Sequence, residues 1–215
     1  VVRVTENSVE LRAAREEDLP VLEQCTQSPE STGPFQWFGW QDPAKWRRRF
    51  AENGLLGEDG GQLMVVSGET ALGFVSWRRV VVMPHSSYWN IGIQLLPQAR
   101  GRGVGTRAQE LLVRYLFAHT PAVRIEADTD LENAAEQRAL EKAGFTREGV
   151  LRSVVFRDGR WRDGVVYGVL RDEIDAGPVA VLPTSGRDSA PTPSPEAPRT
   201  PNLTPVPPTP PTQLP

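Results

Sequence analysis

The sequence predicts a mixed α/β (α+β) domain, and three observations carry that reading. Strand-like and helix-like runs alternate from residue 1 to about 175; two pairs of strand-like runs are separated by short turn sequences; and a glycine-rich loop joins a strand-like run to an amphipathic helix.

Taken in order, residues 9–12 read as a first strand and 16 to about 27 as a helix. A second helix is expected over 42 to about 52, with Pro43 near its first turn, where a missing N–H costs nothing. The runs 62–67 and 71 to about 82 flank Gly68, Glu69 and Thr70 and read as a hairpin. A strand over 89–96 leads into the glycine-rich loop. The helix after that loop rests on Val104, Ala108, Leu111, Leu112, Tyr115 and Leu116, one continuous apolar stripe. A strand over 123–127 follows, then a helix from Asn133 that ends at Gly144, a residue suited to a C-cap. The runs 149–156 and 161–170 flank Asp158-Gly159, a strong hairpin signal. No internal repeat is found.

Composition narrows the function. The 215 residues carry a formal net charge of −3, which argues against a nucleic-acid binder led by electrostatics and favours a small-molecule or protein partner. The single cysteine, Cys25, excludes an internal disulfide and suggests a cytoplasmic, reducing compartment. Its neighbours Leu11, Val21 and Leu22 make it a buried thiol rather than a nucleophile. No run has the length of a membrane span, no leader pattern precedes the first strand, and no metal site is assigned. Of the 20 prolines, 13 fall from Pro178 onward among Thr and Ser, so residues 1–175 are expected to form the domain and 176–215 a disordered tail. The P-x-x-P spacings in that tail follow from its proline content alone.

The loop over 98–106 is the most informative stretch. Glycines let the backbone turn and present consecutive N–H groups, and the first turn of a helix favours an anion. Gly101, Gly103 and Gly105 lie in it, with Arg100 and Arg102 adding charge. A solvated basic turn is the plain alternative.

The sequence resembles the GNAT superfamily of N-acetyltransferases in two motifs, in order and in register. Its Arg/Gln-x-x-Gly-x-Gly/Ala signature is matched by Arg100, Gly103 and Gly105, and its later Asn…Glu-Lys-x-Gly-Phe helix by Asn133, Glu141, Lys142, Gly144 and Phe145. Phe35, Trp37, Phe38 and the Arg157–Trp161 hairpin look most like the Rim-type, ribosomal-protein N-terminal enzymes. The resemblance implies a central seven-strand, mixed but mostly antiparallel sheet with helices on both faces. It implies acetyl-CoA as cofactor, transfer to a primary amine on a protein N-terminus or a small molecule by direct attack, and leaves a homodimer open.

By that resemblance the amides of Arg102, Gly103, Val104 and Gly105, with Gly101 and Arg100, would take the pyrophosphate. The pantetheine arm would pair along Ile93 and Leu95, where a bulge would aim an N–H at the thioester oxygen. Asn133 would touch the same arm. It would also form a capping box with Glu136. The family's usual acids, a Tyr or Ser later in this helix, are replaced by Leu140 and Glu136. Tyr167 is the remaining phenol to consider as an acid, although a strand aromatic is more often core. Glu126, Asp128 and Asp163 are candidate bases, and His85 reads as a solvated loop residue. Trp37, Phe38, Trp40 and Trp77 could line an acceptor pocket or simply pack.

Two other functions compete. A fold of this kind that kept coenzyme A but lost catalysis would be a sensor or adaptor. A dinucleotide-dependent oxidoreductase could use Gly101, Gly103 and the strand ending near Glu126, but Thr106 stands where a third Gly/Ala belongs and no further βαβ units follow.

Overall fold

The computed structural model of the chain describes residues 8–174. The tail expected from residue 176, and with it the domain boundary, lies outside them. Among the described residues the elements run β1 (Val9–Ala13), α1 (Leu19–Thr26), α2 (Pro29–Thr32), α3 (Lys45–Asn53), β2 (Leu56–Gly57), β3 (Gly60–Ser67), β4 (Thr70–Met83), β5 (Ser86–Leu95), α4 (Val104–His119), β6 (Arg124–Asp130), α5 (Ala134–Lys142), β7 (Thr146–Arg157) and β8 (Arg160–Leu170).

The strands form one sheet in the order β1-β3-β4-β5-β6-β8-β7, with β2 paired to β3 beside that path. The sheet therefore has eight strands rather than the expected seven, and the extra one is a two-residue pairing of Leu56 and Gly57 with Gly61 and Gly60. Every pairing is antiparallel except β5 with β6. One parallel pair excludes a doubly wound dinucleotide fold, which needs a run of them.

Alternation along the strands splits the core into two layers. Leu63, Val65, Val75 and Trp77 pack toward α4 and α5 with Leu112, Leu116 and Leu140. Met64, Val66 and Phe74 face the other way and bury Leu22, Cys25 and Trp46 of α1 and α3. Helices thus cover both faces. Burial pushes the Cys25 thiol up to about 12, so it is inert at neutral pH.

The helices differ from expectation in three places. The first helix opens with a 3-10 turn at Glu16–Asp18 before α1 begins. The second starts at Lys45 rather than Asp42, because the Asp42 carboxylate accepts Ala44 N–H at 2.9 Å and holds the chain in a turn first. The short α2, capped by Ser28, was not foreseen. At the β7–β8 turn Asp158 and Gly159 both have positive φ, 51° and 73°, as the tight Asp-Gly hairpin requires.

Candidate active site

β5 and β6 pair over only three residues, Trp89, Ile91 and the residue between, against Ile125 to Ala127, and then part. Beyond Ile91, β4 is the only strand among the described residues that pairs with β5. Leu96 N–H donates to Leu72 O at 2.9 Å, so the antiparallel alternation turns the backbone groups of Ile93 and Leu95 toward the gap. Both carbonyls on that edge are already engaged: Gln36 Nε2 donates to Ile93 O and Arg100 Nε to Leu95 O, each at 3.0 Å. What the edge offers is N–H. The bulge expected here is absent, since the β4–β5 register is unbroken from Leu95 to Ser87 and slips only between Val81 and Met83. Divergence from β6 exposes the edge instead.

At the end of this edge, a 3-10 turn at Pro97–Ala99 leads into the glycine loop. Gly103 caps α4 in the left-handed region, φ 78°, and its carbonyl accepts the first helical bond from Arg107 N–H at 3.1 Å. The amides of Val104, Gly105 and Thr106 precede that bond and have no intrahelical acceptor. Space in front of Gly101 is open, and a Cβ there would meet nothing within 4 Å. The donor set is N–H groups, a helix N-terminus and the exposed Arg102, and it fits a phosphate-bearing cofactor. Arg100 does not join it. Its guanidinium donates to Ser31 O as well as Leu95 O, and burial lowers its pKa. Gly33, at φ 89°, makes room for it, since a Cβ would lie 3.0 Å from Arg100 Nη1.

A cavity of about 230 Å³ opens on the α1/α3 face of the sheet. Its floor is Phe74, Ser76, Gly92 and Gln94, and Trp37, Phe38 and Trp46 form its aromatic walls. Gln94 is nearly fully buried and donates to Thr32 O and Ser31 O at 2.9 and 3.3 Å, fixing α2 as one side. Trp40 lies edge-on to Trp37, ring centroids 5.3 Å apart, and is 82% exposed, so it extends the rim. Trp77 does not take part: it packs in the opposite layer against Tyr115, at 5.8 Å.

The carboxylates sort themselves by partner. Tyr88, Asn90, Gly92 and Gln94 alternate onto one face of β5. Asn90, buried, donates to Asp128 Oδ1 at 2.8 Å, one register step past the pairing of Ile91 with Ala127. Asp128 is exposed and follows Ala127, the last β6 residue paired with β5, at the point where the sheet divides. Glu126 is taken up by Tyr88 at 3.1 Å and Arg124 at 2.8 Å. Burial raises the Tyr88 pKa, and Glu126 adds to it. Asp163 accepts Ser153 N–H at 2.8 Å and serves the β7–β8 hairpin.

Asn133 caps α5, accepting Glu136 N–H at 3.3 Å, but the reciprocal half of the expected capping box is missing. Glu136 instead receives Gln109 Nε2 at 2.8 Å, while Asn133 N–H goes to Asp130 O. Burial pushes Glu136 up to about 7. Tyr167 is fully buried in the α4/α5 layer and donates to Glu141 at 3.1 Å, remote from the pocket face. Asn90, Gln94 and Gln109 were not singled out from the sequence. The first two had a signal, polar residues alternating with Ile91, Ile93 and Leu95; Gln109, amid Ala108, Leu111 and Leu112, had none.

Residues 8–146 match the acetyltransferase (GNAT) domain family, well over half of the chain. The chain belongs to that family. Acetyl-CoA is the family's usual cofactor, and the open cradle and N–H edge suit it. A Bacillus subtilis protein, "Probable N-acetyltransferase YjcK", is 39% identical over 83 residues, covering 39% of this chain and 46% of its own length. The chain spans about half the length of the curated relatives it matches. Among solved structures, spermidine N-acetyltransferase from Vibrio cholerae, in complex with CoA and spermine, superposes with TM-score 0.68 at 18% identity, covering 78% of this chain and 98% of that one. Mycobacterium smegmatis RimJ, in complex with CoA-disulfide, gives 0.64 at 22%, covering 77% and 83%. At these identities the likeness is one of fold, and it is the GNAT fold. Among the described residues no helix is long and apolar enough to cross a membrane.

Proposed function

We propose that this chain transfers an acetyl group from acetyl-CoA to a primary amine by direct attack in a ternary complex. The observation that carries the reading is the parting of β5 from β6, with a cradle of amides at its end and an aromatic pocket over the same strand. Acetyl-CoA, when bound, supplies an activated acyl group, so the protein's task is positioning.

The amides of Val104, Gly105 and Thr106, with Arg102, would hold the pyrophosphate, and the N–H groups of Ile93 and Leu95 would pair with the peptide-like arm. Asn133, at the head of α5, would complete that wall. Asp128 is the base we assign, because its carboxylate is exposed at the split and Asn90 holds one oxygen, leaving the other to take the amine's proton. Glu126, committed to Arg124 and Tyr88, is less suited. Solvent returns the proton to sulfur, since a thiolate leaves readily near neutral pH.

The test is direct. Calorimetry should register acetyl-CoA and not NADH, thiol release should report turnover on a panel of amines, and Asp128→Asn should lower kcat by about 100-fold while sparing cofactor affinity. Binding without turnover on any amine would favour a coenzyme-A sensor instead. A cytoplasmic location, a protein N-terminus or small amine as partner, and a catalytic unit ending near residue 175 belong to the same reading; truncation after Ala176 should leave the melting temperature unchanged, and a large loss would refute that boundary.

A further inference from the structure

The acceptor pocket carries a charge pattern of its own. Among the described residues that line it, Lys45 is the one charged group, and no carboxylate is among them. Lys45 opens α3, lies 5.6 Å over the Trp46 ring and spends one of its three N–H donors on Gln41 Oε1 at 3.1 Å. It has no ion-pair partner among the described residues, whereas Asp42, three residues before it, is taken by Arg48 and Glu23 of α1 by Arg47 at 2.8 Å. Arg49, also without an ion-pair partner, sits 6.0 Å from the same Trp46 ring and adds positive potential. Asp128 is outside that lining. It follows Ala127 at the split and accepts Asn90 Nδ2 at 2.8 Å, and Asn90 shares a β5 face with Gly92 and Gln94 of the floor.

We infer that the acceptor is an amino-carboxylate: a primary amine carried on a molecule with a carboxylate a few bonds away, the amine turned to Asp128 at the split, the carboxylate on Lys45, and an apolar or planar body between Trp37, Phe38 and Trp46. This rests on the acetyl-transfer reading above and names its substrate class. A polyamine is disfavoured by the same geometry, because a second ammonium would be driven against Lys45 with no acid in the lining to receive it. The volume, about 230 Å³, admits one amino-acid-sized group, so a longer acceptor would enter by its end. Two sources share this chemistry, a free amino acid and a polypeptide whose first residues include an acid.

The experiment uses matched acids and amides as acceptors with the full chain and acetyl-CoA: phenylalanine against phenylalaninamide, and a hexapeptide beginning Ser-Glu against one beginning Ser-Gln, with spermidine alongside. In at least one pair the acid should exceed its amide in kcat/KM by about tenfold, and the pair that does so identifies the source. Lys45→Met should bring that ratio to about one, Lys45→Arg should restore it, and Lys45→Glu should invert it, with thermal melts verifying that each variant is folded. Equal use of acid and amide, preference for spermidine, or a ratio indifferent to Lys45→Met overturns the inference while leaving acetyl transfer intact. If nothing is turned over, the transfer reading fails on its own, and binding of N-acetylphenylalanine against its amide to the CoA-loaded protein still decides: a Lys45-dependent preference for the acid upholds the pocket assignment, and its absence overturns it.

Discussion

Arg157 and Asp130 meet at 2.7 Å with both side chains almost wholly buried, tying the end of β7 to the end of β6. The contact is an ion pair more than an aligned hydrogen bond, since Asp130 Oδ2 and Arg157 Nε have no partner of good hydrogen-bond geometry. The remaining groups reach outward: Asp130 Oδ1 accepts Glu132 N–H at 2.8 Å, and Arg157 Nη1 donates to Phe35 O at 3.3 Å beneath the Phe35 ring. One buried pair therefore fixes the approach to α5 and anchors the loop that carries Trp37. Arg157→Met should cost about 3–5 kcal/mol, because it strands a buried carboxylate, whereas the double variant Arg157→Met, Asp130→Leu should recover most of that. Denaturant melts of the three proteins check it. A single variant as stable as wild type would show that the pair is solvated in solution.

Gly103→Val should weaken acetyl-CoA binding at least about tenfold, since φ 78° is a backbone that a β-branched residue resists and the cradle amides depend on it. The strain itself should cost about 1–3 kcal/mol in a thermal melt. Calorimetry giving wild-type affinity would remove the loop from the cofactor site.

Glu136 links stability to pH with a definite sign. Its carboxyl titrates higher folded than unfolded, so the neutral form is the stabilised one: its contribution is complete below the unfolded value near 4.5 and is lost as pH rises through about 7. Glu136→Gln, which cannot ionise, should gain about 1–2 kcal/mol over wild type at pH 8, allowing for the part of the side chain that solvent reaches, and little at pH 4. Paired melts at the two pH values measure it, and a constant difference between them would contradict the assignment.

Trp37 and Trp40 should separate. Trp37→Ala removes a pocket wall and should raise the acceptor KM several-fold while acetyl-CoA affinity holds. Trp40→Ala, at an 82% exposed position, should change stability by less than about 0.5 kcal/mol and shift the acceptor KM less. Loss of stability in both with unaltered acceptor kinetics would return the two rings to a packing role.

Much of this was legible from local signals. The stripe on α4 and the turn at Asp158-Gly159 are short-range patterns, and they appear where expected. The cradle was legible because Gly101 and Gly103 act through their own backbone. What escaped depends on distant partners. Arg100 read as a phosphate ligand, but its carbonyl acceptor on Ser31 lies 69 residues away. Glu136 read as a cap until Gln109 of another helix claimed it. Trp77 and Trp37 are alike in sequence, and only the parity of Trp77 along β4 turns it into the α4/α5 layer, away from the pocket that Trp37 lines from its loop. The two-residue β2 had no periodicity to detect.

The division of labour across β5 bears on how such a chain changes over generations. On the proposed reading its cofactor side would be made of main-chain groups, the N–H of Ile93 and Leu95 and the first turn of α4, and most side-chain replacements leave those groups where they are. Its other side is Trp37, Phe38 and Lys45, with Trp46 shared with the core beneath, and a replacement at the first three alters the surface that the proposed acceptor would meet. Drift and selection could then rewrite what is recognised while the cofactor grip is inherited unaltered, so a mutant library confined to Trp37, Phe38 and Lys45 should yield new acceptor preferences with acetyl-CoA affinity retained.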